Sequence, residues 1–261
     1  MSHPRGLIVA EAGCRVTVIE SYVGSGDGAQ FTNAVTEIVA GKNAVVDHYK
    51  IVREPDQAYH VGTTHIHLGR DSSVSSHVVT LSGALVRNDV IAELDGEGAL
   101  CTLNGLYITR DRSHVDNHLR VEHIKPHCDS REYYKGILDG HSRAVFTGRI
   151  NVRENAQKTD AKQTNMNLLL SEDAQIDTNP QLEIFADDVK CTHGATIGQM
   201  DEDAIFYLQS RGIPEDDARG VLLLAFAQES VDQVRPEPLR SRLQDAVRDL
   251  LGQGRVLREA I

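Results

Sequence analysis

The 261-residue sequence contains no tryptophan, only seven prolines and few aromatic residues, which make up 5% of the chain. Its interior must therefore be built mainly from Val, Ile, Leu and Ala. No apolar run approaches the ~20 residues of a membrane-spanning helix, and no signal peptide is evident at the start. The 27 Lys and Arg against 38 Asp and Glu give a net charge of −11. This acidic balance argues against nonspecific binding to nucleic acid or to an anionic membrane.

Cysteines are also few: the chain has four, far apart in the sequence and with no Cys-x-x-Cys pair, namely Cys14, Cys101, Cys128 and Cys191. This spacing argues against a disulfide framework and favours a reduced, cytoplasmic protein. The sequence lacks the GxxxxGK[ST] loop that binds nucleotide phosphates, so we expect no nucleotide on this chain. It also lacks the GxSxG and HExxH motifs of serine hydrolases and zinc proteases.

The first 198 residues have the composition of short β-strands. Stretches rich in Val, Ile and Thr recur between Gly, Asn, Asp and Ser, and none forms a sustained helical stripe. A sandwich, a barrel and a solenoid all remain compatible with this pattern. Hairpin dipeptides are sparse. A set of polar residues is expected in the turns between stacked coils, which favours the solenoid: Asn151, Asn155, Thr159, Thr164, Asn165, Asn167, Asp173 and Asp177.

The pattern becomes helical after residue 199, so we divide the chain into a β domain (1–198) and a helical region (199–261). Asp201 is a candidate N-cap, Gly212 a stop signal and Pro214 a start signal. Two apolar stripes follow at helical spacing: Ala218, Val221, Leu222, Ala225 and Phe226, then Leu239, Leu243, Ala246, Val247 and Leu250. The helical region is interpreted either as a cap over an open solenoid end or as a docking platform for a partner.

Cys191 and His193 are the residues with the strongest case for chemistry. In an extended strand their side chains share one face, with β carbons roughly 6–7 Å apart. A thiolate and an imidazole are good ligands for iron or zinc, and they can also form a nucleophile pair. The structural alternative is a small buried thiol beside a hydrogen-bonded histidine. Because two ligands do not fill a metal site, the others must come from elsewhere or from a second chain.

Other candidate clusters are weaker. A histidine-rich stretch is better explained as a polar solenoid face with turn contacts than as a metal site: His114, His118, His123, His127 and Cys128. His65 and His67 share an outward face, but nothing nearby in the sequence completes a site. Asp187 and Asp188 suggest an alternative function, a β-helix enzyme that cleaves polyuronides, although adjacent strand residues face opposite sides and cleavage needs two converging carboxylates.

Several motifs between residues 114 and 226, taken in order, are similar to the core of the SufB/SufD family, the scaffold subunits of the SUF iron–sulfur cluster assembly system. The matching segments are HLRVEH (118–123), KGIL (135–138), VFTGRINV (145–152), AQKTDA (156–161), NLLLS (167–171), PQLEI (180–184), KCTHGAT (190–196) and FYLQSRGI (206–213). The KCTHGAT segment resembles SufD more than SufB, which lacks the Cys-x-His-Gly pattern.

The resemblance implies a right-handed parallel β-helix followed by a small α-helical segment. It implies a noncatalytic scaffold that acts with SufB and the ATPase SufC in cluster assembly, iron acquisition or transfer. The β-helices of SufB and SufD are expected to pair near their C-terminal strands, with a transient iron–sulfur cluster at that interface near Cys191 and His193. SufC is expected to dock on the helical part, for which the candidate residues are Phe206, Tyr207, Arg211, Gly212, Leu222 and Phe226.

Three points remain open at this level. Family members usually carry an N-terminal, partly helical region before the β-helix, whereas here the first strand is expected within ten residues of Met1. The chain is therefore a truncated form, a fragment or a minimal homologue. It pairs with SufB or forms a homodimer, and it either contributes cluster ligands or only holds the helical platform for SufC.

Overall fold

The computed structural model describes residues 1–24 and 28–251, which form fourteen strands followed by three helices. Odd-numbered strands make one parallel sheet, the odd sheet: β1 (Arg5–Ala10), β3 (Phe31–Ala40), β5 (Tyr59–Leu68), β7 (Leu85–Leu94), β9 (His114–His123), β11 (Arg143–Val152) and β13 (Gln175–Ile184). Even-numbered strands make the other, the even sheet: β2 (Arg15–Val23), β4 (Val45–Arg53), β6 (Ser73–Ser82), β8 (Leu100–Thr109), β10 (Asp129–Leu138), β12 (Asp160–Leu169) and β14 (Lys190–Gly198).

Successive strands alternate between the two sheets, so each odd–even pair makes one coil of a parallel β-helix, and seven coils stack. Every strand pairs in parallel with the strand one coil away. The coil length varies, because the chain between Tyr59 and its register partner Leu85 is shorter than the chain between Arg143 and its partner Gln175. The predicted parallel β-helix is confirmed, and the variable connections explain why no strict period is visible in the sequence.

The space between the two sheets is filled largely by small and branched aliphatic side chains, as the lack of tryptophan predicts. The aromatic exceptions include Phe146, Tyr107 and Tyr134, each at most 1% exposed. Glycines on neighbouring strands make room for the two tyrosines. A β carbon on Gly105 would lie 2.1 Å from the Tyr134 ring, and one on Gly136 would lie 2.3 Å from the Tyr107 ring. Glycine is therefore required at both positions by the close approach of a ring.

The interior also holds polar side chains, and this corrects part of the turn prediction. Asn165 and Asn167 lie in β12 and are buried, not in a turn. Tyr107 Oη donates to Asn167 Oδ1 (2.5 Å) and accepts from Asn165 Nδ2 (3.2 Å). These long-range bonds satisfy the amides, so that strand burial is tolerated. Asn151, Thr164 and Asp177 also lie within strands, whereas Asn155 and Asp173 occupy turns as predicted.

Three helices follow β14: α1 (Glu202–Gln209), α2 (Glu215–Val231) and α3 (Glu237–Leu251). The predicted N-cap is confirmed, since the Asp201 carboxylate accepts from the backbone N–H groups of Asp203 and Ala204. Gly212 has a φ of +86° just after α1, in the left-handed region that favours glycine. Pro214 is the N-cap of α2 and precedes its first turn.

The buried side of α2 differs from the predicted stripe. Ala225 is exposed, while Leu223, Ala227 and Val231 are buried against the even sheet. The predicted stripe is correct at Ala218, which is buried, and wrong at Ala225. Burial of Leu223 agrees with the expectation that this helix buries more than one face, since Leu223 and Leu224 widen the stripe. The α3 stripe is confirmed, with Leu243 and Val247 buried.

The helices pack on the outer face of the even sheet, not over the end of the solenoid. Arg235 after α2 pairs with Asp47 in β4 (2.6 Å), and Lys135 in β10 pairs with Glu229 in α2 (2.5 Å). The interpretation of the helical region as an end cap is therefore wrong. Within residues 1–24 and 28–251, no helix has the length and apolar character needed to cross a membrane.

Candidate functional site

The last coil of the solenoid has nothing stacked on it in the described chain. Strand β14 pairs only with β12, and β13 pairs only with β11. Most of β14 is exposed, including positions that would face the interior if another coil followed. This open end presents unpaired backbone N–H and C=O groups and a ready surface for another strand.

Cys191 and His193 lie on β14 at this open end. Their register partners on β12 are Ala161 and Gln163, both buried and both facing the space between the sheets. Because side chains alternate along a strand, Cys191 and His193 face the same interior side. Cys191 is half-buried and packs against the interior core, while His193 is exposed. The structure therefore brings the two residues to one face, as predicted, and leaves that face uncovered.

The environment of Cys191 favours its thiol form in the isolated chain. Burial raises the pKa of the Cys191 thiol, and the Asp160 carboxylate raises it further, against a backbone hydrogen bond at Ala161. A metal ion or a partner's positive charge would be needed to hold the thiolate at neutral pH. In the isolated chain the Cys191–His193 pair therefore offers two potential donor atoms, and burial favours the thiol form of Cys191.

Two buried polar residues below this pair were not predicted from the sequence. Gln163 Nε2 donates to Glu132 Oε2 (2.6 Å), and both side chains lie inside the solenoid. Burial raises the pKa of Glu132 to about 8, so its carboxyl group is mainly protonated at neutral pH. Strand alternation in β12 is the sequence signal that could have identified Gln163 as buried, because it places Gln163 on the same face as Ala161 and Asn165.

The histidine-rich stretch is not a cluster in space. His114 and His118 lie on the outer side of β9, while His123 is buried and contacts Ser130 Oγ through Nε2 (2.9 Å). Burial lowers the pKa of His123 to about 4. His127 is in an exposed turn with φ of +59°, and Cys128 is fully buried with Sγ donating to the Gly96 carbonyl.

The two acidic residues of the carbohydrate-enzyme alternative lie in the connection between β13 and β14. Asp187 and Asp188 are both exposed. The carboxylate of Asp188 pairs with Lys158, and its backbone N–H donates to Gln157 Oε1 (2.9 Å). No second carboxylate converges with them among the contacts of the described residues, and this alternative has no support.

The candidate partner residues fall into two groups. Phe206 and Tyr207 on α1 are 71% and 54% exposed, and the Arg211 guanidinium stacks on the Tyr207 ring at 3.9 Å from its centroid. With Gly212, which has open space around it, they form an exposed surface that we name the α1 patch: Phe206, Tyr207, Arg211 and Gly212.

The two candidate residues on α2 are only half-exposed. Phe226 and Leu222 lie on the half-buried side of the helix. The Phe226 ring lies 4.1 Å below the Lys135 ammonium, and its carbonyl accepts a hydrogen bond from the same group (3.0 Å). Phe226 therefore helps to anchor α2 on β10, in addition to any contact with a partner.

Within the described ranges, no group of three or more His, Cys, Asp or Glu side chains stands arranged to hold a metal ion. The Cys191–His193 pair is consistent with this, since it offers two donors only. All four cysteines are free.

A family model for the SUF system FeS cluster assembly SufBD core domain matches residues 1–226, which include all fourteen strands and most of α2. The chain belongs to the SufBD core family. This match confirms the resemblance inferred from the motifs and extends it over the N-terminal coils, where the sequence alone carried no sharp motif.

Curated relatives agree with this assignment. The chain is similar to the iron–sulfur cluster assembly protein SufD of Escherichia coli, at 39% identity over 93% of the chain and 57% of the relative. A SufBD family protein of Synechocystis is 38% identical over 95% of the chain and 56% of the relative. Protein ABCI7, chloroplastic, of Arabidopsis thaliana is 32% identical over 96% and 53%. This SufBD-family chain thus spans little more than half the length of these relatives.

Proposed function

We propose that this chain is a SufD-like, noncatalytic scaffold subunit that helps to assemble or transfer an iron–sulfur cluster. The supporting observation is that Cys191 and His193 share the interior-facing side of β14, the last strand of the stack, which no further coil covers in the described chain. The names of relatives in Escherichia coli and Synechocystis give the same process, iron–sulfur cluster assembly. The four free cysteines fit a reducing cytoplasm, which is the compartment that we propose.

The cluster in this proposal is a transient cargo shared between two chains. Iron–sulfur clusters are held mainly by thiolates, with histidine replacing cysteine in some centres. Cys191 and His193 provide at most two of the required ligands, so a partner must provide the others, and bound iron would favour the Cys191 thiolate over its thiol. A SufB-type paralogue is the partner that we propose.

The open edge of the last coil supports pairing of two solenoids. Strands β13 and β14 each have one unpaired side, and addition of a partner strand would satisfy their backbone groups. Ile184, Phe185 and Ile197 add exposed apolar surface at the same end. A SufB-type β-helix is the proposed occupant, and a second copy of this chain is the alternative that the same edge allows.

We expect loss of the cluster when both donors are removed. The Cys191→Ala/His193→Ala variant, co-expressed with the paralogue and the ATPase, should bind at least about tenfold less iron and acid-labile sulfide than the unsubstituted complex. Iron and sulfide analysis of the purified complex is the measurement. A Cys14→Ala variant is the matched control, because Cys14 is exposed at the far end of the solenoid.

The purified complex that contains the double variant also distinguishes two roles of this chain, a source of cluster ligands and a structural platform for the ATPase. Size-exclusion chromatography should show the complex intact in the double variant, since His193 is exposed and Cys191 is a small, half-buried side chain at the margin of the core. Wild-type cluster levels in that intact complex would remove Cys191 and His193 from the proposal. The chain would then be a structural subunit that only holds the helical platform.

We further propose that the α1 patch binds the ATPase subunit. Exposed Phe206 and Tyr207 beside Arg211 have the composition of an interface anchor, since aromatic residues and arginine dominate binding energy at protein interfaces. No phosphate-binding loop occurs in this sequence, so the nucleotide of this proposal is bound by the ATPase.

Removal of an aromatic side chain from the α1 patch should weaken binding of the ATPase. For Tyr207→Ala we expect a loss of about 2 kcal/mol, or roughly 30-fold in Kd, because an exposed aromatic anchor is removed. Calorimetric titration with the purified ATPase measures this. Tyr59→Ala is the control, because Tyr59 has similar exposure on the odd sheet, at 48%. Equal affinity in the wild type and the Tyr207 variant would exclude the patch as an anchor.

A further inference from the structure

Two histidines and a glutamate meet on the outer face of the odd sheet, far from the open end. His65 and His67 alternate on the same side of β5, and Glu93 lies opposite His67 on β7. Glu93 Oε2 is 3.6 Å from His65 Nε2 and 3.8 Å from His67 Nδ1. Nothing in the neighbouring sequence completes a site around the two histidines, and the fold provides the missing carboxylate from the next coil along the chain.

The two distances from Glu93 Oε2 to the imidazole nitrogens are close to those between ligands of one ion. Donors about 2.1 Å from a tetrahedrally coordinated zinc ion lie about 3.4 Å from one another, and both imidazole–carboxylate distances exceed this by only a few tenths of an ångström. As the side chains stand, they do not surround an ion. The three side chains are 37–43% exposed, so each borders solvent on the outer face and can turn toward a common point.

A fourth donor is available on the other side of His65. Glu37 on β3 is the register partner of His65, and its side chain points to the same outer face. Its Oε1 accepts a hydrogen bond from Arg5 (3.2 Å), an exposed pair that is worth little in water. An ion of double positive charge would therefore compete well with Arg5 for this carboxylate.

The convergence of two histidines on one carboxylate is unusual within this molecule. Elsewhere in the described ranges each His–carboxylate pair joins a single histidine to its acid, as for His118 with Asp116 (2.8 Å) and His141 with Asp173 (3.4 Å). Asp116 is also shared with Arg87 (2.7 Å), which leaves no free charge for a cation. By contrast, the ion pairs of Glu93 join it to the two histidines and to no arginine or lysine of the described chain.

We propose that His65, His67 and Glu93, with Glu37 as a fourth ligand, bind one divalent first-row transition-metal ion. Imidazole with carboxylate suits zinc, iron, nickel and copper ions and selects against calcium and magnesium, which require oxygen ligands. The site links β3, β5 and β7, so the bound ion also cross-links three neighbouring coils. It is separate from the proposed cluster site, which lies on the other sheet and four coils away.

The test uses the full chain, free of any affinity tag, in a Cys14→Ser/Cys191→Ser background so that accessible thiols do not bind the probe. Zn²⁺ is titrated by calorimetry, and Co²⁺ is titrated by visible absorption, which reports its coordination geometry. We expect one ion per chain in this background. The His65→Ala/His67→Ala variant should bind at least about tenfold more weakly, and Glu93→Gln should weaken binding while keeping the shape of the side chain.

His118→Ala is the matched control, because it removes a histidine–carboxylate pair from the same sheet face. It should leave stoichiometry and affinity unchanged. A second readout is thermal unfolding: Zn²⁺ should raise the Tm of the background protein and not that of the His65/His67 variant, since only the folded state has the site. Equal binding by all variants, or an equal loss with His118→Ala, would mean adventitious ions only and overturn the proposal. Neither result affects the cluster proposal, which rests on Cys191 and His193.

Discussion

Replacement of Glu132 by glutamine should make the protein more stable at neutral pH. Burial raises the pKa of this carboxyl group from 4.5 to about 8, so the folded chain keeps a proton that the unfolded chain releases above pH 4.5. Ionisation therefore favours unfolding, and stability is lost as the pH rises from 4.5 toward 8. Between pH 4.5 and pH 7 this loss amounts to about 3 kcal/mol, which Glu132→Gln should recover.

The hydrogen bonds of the site favour the same outcome. Glu132 Oε1 and Gln163 Oε1 are both buried without a hydrogen-bond partner. A protonated carboxyl group at 132 can donate to Gln163 Oε1 while it accepts from Gln163 Nε2, and an amide at 132 can make the same two bonds. The amide keeps both bonds at every pH, whereas the carboxylate formed at higher pH loses the donor. The size and shape of the side chain stay the same, so no cavity is created.

Urea unfolding across pH 4.5–8 measures the effect. The stability difference between Glu132→Gln and the wild type should be greatest at pH 8 and should nearly vanish at pH 4.5. Glu172→Gln, in an exposed turn, is the control and should change stability by less than about 0.5 kcal/mol at each pH. A pH-independent difference for Glu132→Gln would show that ionisation of this group is not the cause.

Removal of the Phe146 ring should severely destabilise the core. Phe146 on β11 is fully buried, and its ring packs on Tyr134 of the opposite sheet at a centroid distance of 5.4 Å. Phe146→Ala removes buried area and leaves a cavity between two sheets, each of which is fixed by backbone hydrogen bonds among its own strands and so relaxes little. We expect a loss of about 3–5 kcal/mol in the free energy of unfolding.

The matched control is the same substitution at Phe206, which is 71% exposed on α1. Phe206→Ala should change the free energy of unfolding by less than about 0.5 kcal/mol. Phe146→Ala should lower the urea midpoint strongly while the slope of the transition stays unchanged. Comparable effects at the two positions would contradict the interior placement of Phe146.

The strands were predictable from the sequence, while their stacking period was not. Alternation such as that around His65 and His67 is local and directly gives a strand with two faces. The period was hidden because the connections vary in length, being shorter after Tyr59 than after Arg143. The hydrogen bonds between paired strands fix the register of the strands. The connections between strands can therefore differ in length without changing the pairing.

The sequence prediction placed two interior polar residues in turns for a different reason. Asn165 and Asn167 belong to a residue type that favours turns, and the sequence around them shows no partner. Their partner, Tyr107, lies two coils earlier and is brought near only by the stacking of coils. Local preference cannot account for a hydrogen bond of that range.

The candidate site was predicted in part. A shared face for Cys191 and His193 follows from strand alternation alone. Their exposure does not, because it depends on which coil is last in the stack. Glu132 could not be singled out either, since the helices cover the outer face of β10 and leave residues on both of its faces buried. Where both faces of a strand are covered, the alternation of polar and apolar residues no longer tells which side chains point to the interior.

The position of α2 and α3 along the even sheet has a consequence for cooperativity. In a bare solenoid each coil touches only its neighbours, so opening can begin anywhere and spread. Here Arg235 binds Asp47 in the second coil, while Glu229 binds Lys135 in the fifth. Opening of any coil between them breaks contacts with a helix that the others share, so these coils behave as one unit. The last coil, with Cys191 and His193, lies outside the stretch that these two ion pairs bridge, so we expect it to open locally at a lower free-energy cost than the coils within that stretch.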